Sequence, residues 1–160
     1  MGAAADFKAK YPNIKIVASE VEAPYINGEK KSLRLEQAEE FEKTLQGEKK
    51  AFGKAFCEML RKVKPVDVDI RVHDGEVMDW CGGCEIVATA GHTPGHISLF
   101  LSNRKTVIAG DAAALKNNKL IVANPQFTLD MVKAKKDIIK ILGYDADRFI
   151  CYHGGVYIRK

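Results

Sequence analysis

The sequence predicts an α/β fold built as a layered sandwich, and three observations carry that expectation. Short apolar runs at 85–89, 106–109 and 148–152 read as strands, and each leads within a few residues to glycine and a polar side chain. Between residues 36 and 63 the apolar spacing changes to steps of three, four and seven, the period of a helix face. At 160 residues, 46% of them hydrophobic, the chain can bury one sizeable core, so a single domain spanning 1–160 with a helical insertion at 36–63 is expected.

Taken in order, residues 3–11 read as the last turns of an amphipathic helix, with Ala4, Phe7 and Tyr11 on one stripe and Pro12 as its stop. Residues 14–18 read as a strand, 19–23 as a helical turn capped by Ser19, and Asn27-Gly28 as a turn. Ala38, Phe41, Leu45, Phe52, Phe56, Met59 and Val63 form the helical stripe, and Gly47 interrupts it, which predicts a hairpin of two helices. Early acids (Glu36, Glu39, Glu40, Glu42) suit the macrodipole of the first. Beyond Pro65, residues 66–72 alternate apolar and charged like a half-exposed strand, and His73-Asp74-Gly75 turns with His73 in solvent.

Cys81-Gly82-Gly83-Cys84 reads as a hairpin turn flanked by cysteines, with a cross-strand disulfide or a thiol–metal role as the other reading. Residues 97–101 return as a strand, 103–105 turn, and 106–109 lead to Gly110-Asp111. Asn124-Pro125 breaks the chain before a helix with Thr128 as its N-cap and Gly143 at its stop. Met131, Val132, Ile138, Ile139 and Leu142 would face inward, with Lys133, Lys136 and Lys140 on the wet side.

A net charge of +4 with scattered basic residues predicts no nucleic-acid partner. No apolar run reaches membrane-spanning length, Met1-Gly2-Ala3 begins no secretory signal, and Asp6 breaks a myristoylation pattern, so a cytoplasmic protein is expected.

His92, Asp111 and His153 stand just past their strands, beside glycines that let the chain turn sharply. If the strands share one sheet, their ends bring the three together. Borderline nitrogen donors with a carboxylate suit Zn²⁺, Fe or Mn²⁺. The motifs Gly-His-Thr-Pro-Gly-His at 91–96, Gly-Asp at 110–111 and His-Gly-Gly at 153–155, in this order and spacing, resemble the later half of the metallo-β-lactamase superfamily, which includes glyoxalase II-like thioester hydrolases. The resemblance reaches back through 22–26 to 11–18. It implies an αββα sandwich and zinc-dependent hydrolysis of a small-molecule substrate. It also implies that His92 binds a first metal, Asp111 bridges two and His153 binds the second, with His96 supporting the turn.

That family opens its site with His-x-His-x-Asp-His, which needs three histidines within a few residues. This sequence has only His73, His92, His96 and His153. The expectation is therefore an N-terminally truncated sandwich holding metal weakly or partially, as a weakly active or inactive hydrolase. A non-catalytic binding or assembly protein, and a fragment completed by another chain, are the alternatives. Missing strands would leave an open edge and apolar surface, so a homo-oligomer closed by a two-fold is expected.

Overall fold

Helix α1 (Ala4–Lys10) ends ahead of Pro12 as expected, where Tyr11 leaves helical geometry at φ −129°. The computed structural model describes residues 2–159. Their elements gather into two units, one holding the residues up to Val17 with Ala23–Arg71, the other Ala18–Glu22 with the residues from Val72 onward. Among the described residues no helix is long and apolar enough to cross a membrane.

In the first unit a side chain takes the place of backbone pairing. Asp69 Oδ2 accepts the Ile16 amide at 2.8 Å and the Lys8 ammonium at 2.9 Å. The Ile16 carbonyl in turn accepts the amides of Asp69 and Ile70 at 2.9 and 3.1 Å. Strand geometry in these stretches is accordingly confined to β1 (Val17–Ser19) and β2 (Ile70–Val72), of which Val17, Ile70 and Arg71 belong to this unit, and both are shorter than the stretches 14–18 and 66–72 that read as strands. Ser19, in the second unit, ends β1, and its Oγ accepts the Glu22 amide at 3.1 Å to close a turn. Helix thus begins only at α2 (Ala23–Ile26), not at 19–23.

The helical hairpin forms as α3 (Leu33–Thr44), capped by Ser32, and α4 (Gly47–Arg61). Its apolar stripe is buried only in part, however: Phe41, Phe52 and Met59 are exposed, while Ala38 is buried together with Gly53 and Cys57 from outside the stripe. Small residues set the helix contact here. A Cβ on Gly53 would lie 2.9 Å from Leu45 Cδ1, so the helices meet too closely for aromatic rings to interleave.

The second unit is built on a seven-stranded sheet. Its strands are β3 (Val77–Met78), β4 (Cys84–Ala88), β5 (Ile97–Leu101), β6 (Thr106–Lys116), β7 (Lys119–Ile121), β8 (Arg148–His153) and β9 (Gly155–Ile158). The order is β3-β4-β5-β6-β8-β9, with β7 hairpinned onto the far end of β6. Within this sheet β6 and β8 pair in parallel, as a strand–helix–strand crossover through α5 (Met131–Leu142) requires. One sheet face carries Val87, Val107, Ala109, Phe149 and Cys151 into a core with Ile141 of α5.

Three expectations change here. Strand β6 does not stop at Ala109 but runs to Lys116, and Asn117 and Asn118, both at positive φ, turn it into β7. Helix α5 is capped not by Thr128 but by Asp130, whose side chain accepts the Lys133 amide at 2.9 Å. Its buried residues are Ala134, Asp137 and Ile141, while Val132 and Ile139 face solvent. The hairpin at Cys81–Cys84 forms as read, with Met78 opposite Cys84, and all four cysteines are free thiols.

Candidate metal centre

His92 sits in the turn between β4 and β5, where Gly91, Pro94 and Gly95 reverse the chain between Ala88 and Ile97. Asp111 lies inside β6, not past its end. The ladder to β8 slips around it: Gly110 pairs with Cys151 and Ala114 with His153, so Asp111, Ala112 and Ala113 face Tyr152 alone. Such a slip bends a strand and re-aims its side chains. His153 is the last residue of β8.

Asp111 lies against each histidine. Asp111 Oδ1 lies 3.4 Å from His153 Nε2, and Oδ2 lies 3.7 Å from His92 Nε2. Asp111 Oδ1 is nonetheless buried with no hydrogen-bond partner. An orphaned carboxylate oxygen is costly unless a cation takes it. Two donors each about 2.0–2.2 Å from a tetrahedral zinc stand roughly 3.3–3.6 Å apart, close to these separations. The donors fit a metal in part: they make two imidazole–carboxylate pairs sharing Asp111. Among the described residues no group of three His, Cys, Asp or Glu converges as a ready metal site.

The surrounding hydroxyls orient the rings. Thr128 Oγ1 donates to the Ala123 carbonyl at 2.9 Å, so towards His92 Nδ1, 3.4 Å away, it acts as acceptor. That assignment puts the proton on Nδ1 and turns the Nε2 lone pair towards Asp111. Thr128, a helix cap by its sequence context, lines the centre instead.

His96 is not one of the three and holds Asp111 from behind. The Asp111 amide donates to His96 Nε2 at 3.0 Å, so Nδ1 carries the proton and meets Thr89 Oγ1 at 2.8 Å. Thr89 in turn meets Ser98 Oγ at 2.9 Å, and Ser98 donates to the Ala109 carbonyl at 3.1 Å. Burial, then the neighbouring His92 ring, pushes the His96 imidazole down to about 4, which keeps it neutral in this tautomer. Thr89 and Ser98 are fully buried, and polar residues within or at the end of apolar runs are the signal that could find them. Gly110, at φ +57°, leaves the room: a Cβ there would lie 2.9 Å from His96 Nε2. His73 is exposed in its turn, as read.

The family model of the metallo-beta-lactamase superfamily matches residues 1–153. The chain belongs to that superfamily. The probable metallo-hydrolase YflN of Bacillus subtilis (strain 168) is 33% identical over 42% of this chain and 30% of its own length. Among solved folds, the superfamily protein ST1585 from Sulfolobus tokodaii covers 99% of this chain at TM-score 0.68 and 18% identity. TTHA1429 from Thermus thermophilus covers 98% at TM-score 0.67 and 17% identity. TTHA1623, solved in a di-iron-bound form, covers 98% at TM-score 0.62 and 15% identity. This member of the superfamily spans 58%, 52% and 65% of those three chains, so the likeness establishes the fold over about half of each of the first two.

Proposed function

We propose that His92, Asp111 and His153 supply part of a two-metal centre for hydrolysis of a small-molecule substrate, of the glyoxalase II-like kind. The observation that carries the reading is the buried, unsatisfied Asp111 Oδ1, with each Asp111 oxygen facing one imidazole Nε2. When bound, the metals would lower the pKa of a water and polarise the scissile group. His92 would hold one position, His153 the other, and Asp111 would bridge them, while His96 fixes the Asp111 backbone. Zinc fits the donors best, with iron and manganese next.

The family's first metal motif has no counterpart among the four histidines. Two protein donors per metal fall short of the three that catalytic zinc usually takes. The chain alone should therefore bind metal partially and turn over thioester, lactam or phosphodiester substrates near background. Elemental analysis after dialysis tests this, and two tightly held metals per chain, or a robust rate abolished by His92→Ala, would overturn it.

The absence of a converging three-donor group among the described residues favours a second reading, a non-catalytic protein that keeps the fold for assembly. Near-zero metal uptake selects it, while two-metal binding after adding the missing motif in a second chain selects complementation. In either case we propose a homo-oligomer, supported by the exposed apolar side chains Ile150, Val156 and Ile158 on the sheet.

A further inference from the structure

The turn that carries His92 is held at both ends by carboxylates belonging to neither imidazole–carboxylate pair. At its start Asp137 Oδ2, from α5, accepts the Gly91 amide at 2.8 Å. At its end Glu22 Oε2 accepts the Gly95 amide at 3.0 Å and the Thr93 hydroxyl at 2.9 Å. The carbonyls are held as well. Gly95 accepts the Ser19 hydroxyl at 2.6 Å, Gly91 the Asp130 amide at 2.9 Å, and His92 the Leu129 amide at 3.2 Å.

Neither carboxylate is local. Asp137 reaches across 46 residues of sequence and Glu22 across 73. The glycines are bare where the clamps arrive: a Cβ on Gly95 would lie 2.6 Å from Glu22 Oε2, and one on Gly91 2.2 Å from the Ala134 nitrogen. Asp137 is only 8% exposed, and a buried acid is an expensive way to hold a mere surface turn. The turn's other use is to deliver the His92 ring.

We infer that Glu22 and Asp137 are positioning residues that clamp the two ends of the His92 turn and so set His92 Nε2 against Asp111. The inference rests on the reading of His92 as a metal donor. Loosening either clamp should let the donor drift while Asp111 and His153 stay in place.

The test uses the full chain with Zn²⁺ alone, titrated against a chromophoric chelator. Glu22→Ala and Asp137→Ala should each weaken zinc binding roughly 10–100-fold, the usual loss when a residue behind a metal ligand is removed. Glu22→Gln and Asp137→Asn keep an acceptor of the same shape and should lose only about three- to tenfold, since a neutral acceptor replaces a charged one. If the alanine variants fail to fold, these two decide alone, and unchanged zinc affinity in both overturns the inference. Amide hydrogen exchange in the metal-free chain separates this inference from the functional reading. Exchange at Gly95 should accelerate in the Glu22 variants and at Gly91 in the Asp137 variants. If the native chain takes up no zinc, the metal reading fails and exchange decides the clamps. If exchange is unchanged, the clamps fail although zinc binding stands.

Discussion

Gly110 is the residue on which the geometry of Asp111 depends most directly. Its φ of +57° suits glycine, and the space over its Cα is filled by the His96 ring that accepts the Asp111 amide. Gly110→Ala must therefore strain the backbone and push His96 aside at once. We expect a loss of about 1–3 kcal/mol in stability, read from urea unfolding. An alanine variant as stable as the native chain would show that β6 reaches Asp111 without this conformation. The hydroxyl chain from His96 through Thr89 and Ser98 makes the same point about chemistry. Thr89 and Ser98 can be recognised as polar residues within or beside apolar runs, but which proton each donates is settled only by where their neighbours end.

At the scale of elements, the first unit closes on Asp69. The Ile16 amide, then the Lys8 ammonium, holds its carboxyl down at about 2. An unfolded aspartate titrates near about 4. The folded pKa is depressed, so the contribution to stability is present above about 4 and is lost as pH falls from about 4 towards about 2. Asp69→Asn should consequently lower the urea midpoint of the helical circular dichroism signal at about pH 6 and leave it nearly unchanged at about pH 2. Equal midpoints near neutrality would show that the loop to Ile16 does not need the charge. The stretches 14–18 and 66–72 are legible as extended but not as partners of a carboxylate, because period-two alternation carries no information on what closes the ladder. The exposed stripe of α3 and α4 has the same origin: periodicity identifies a helix face, whereas the close approach at Gly53 decides which face is covered.

At the scale of the molecule, the sheet of the second unit has two apolar faces. One is covered by α5. On the other a single register row, Ile86–Leu99–Ile108–Ile150–Val156, crosses five strands. Ile86 is fully buried, but Ile150 is 37% and Val156 45% exposed, with Ile158 at 52% and Tyr152 at 77% nearby. Contiguous apolar surface of this kind invites a partner, and a two-fold pair is the commonest solution. Light scattering at micromolar concentration should give twice the 17.7 kDa chain mass. Val156→Lys with Tyr152→Lys should return the monomer. A monomeric native chain would count against the pairing.

The sequence by itself determined the family, the α/β class and the helical hairpin, and it singled out His92, Asp111 and His153, of which Asp111 lies against each histidine. Those features are local: glycine-flanked motifs after apolar runs, and periods of two and 3.6, are written into neighbouring residues. Tertiary structure alone decided that Asp111 is presented by a slipped ladder and not a strand end, and that Thr128 and His96 orient the centre. It also decided that Glu22 and Asp137 hold its turn from 73 and 46 residues away. Each of these is a hydrogen bond or register between segments distant in sequence. Their partners are chosen by packing, and no local pattern encodes them.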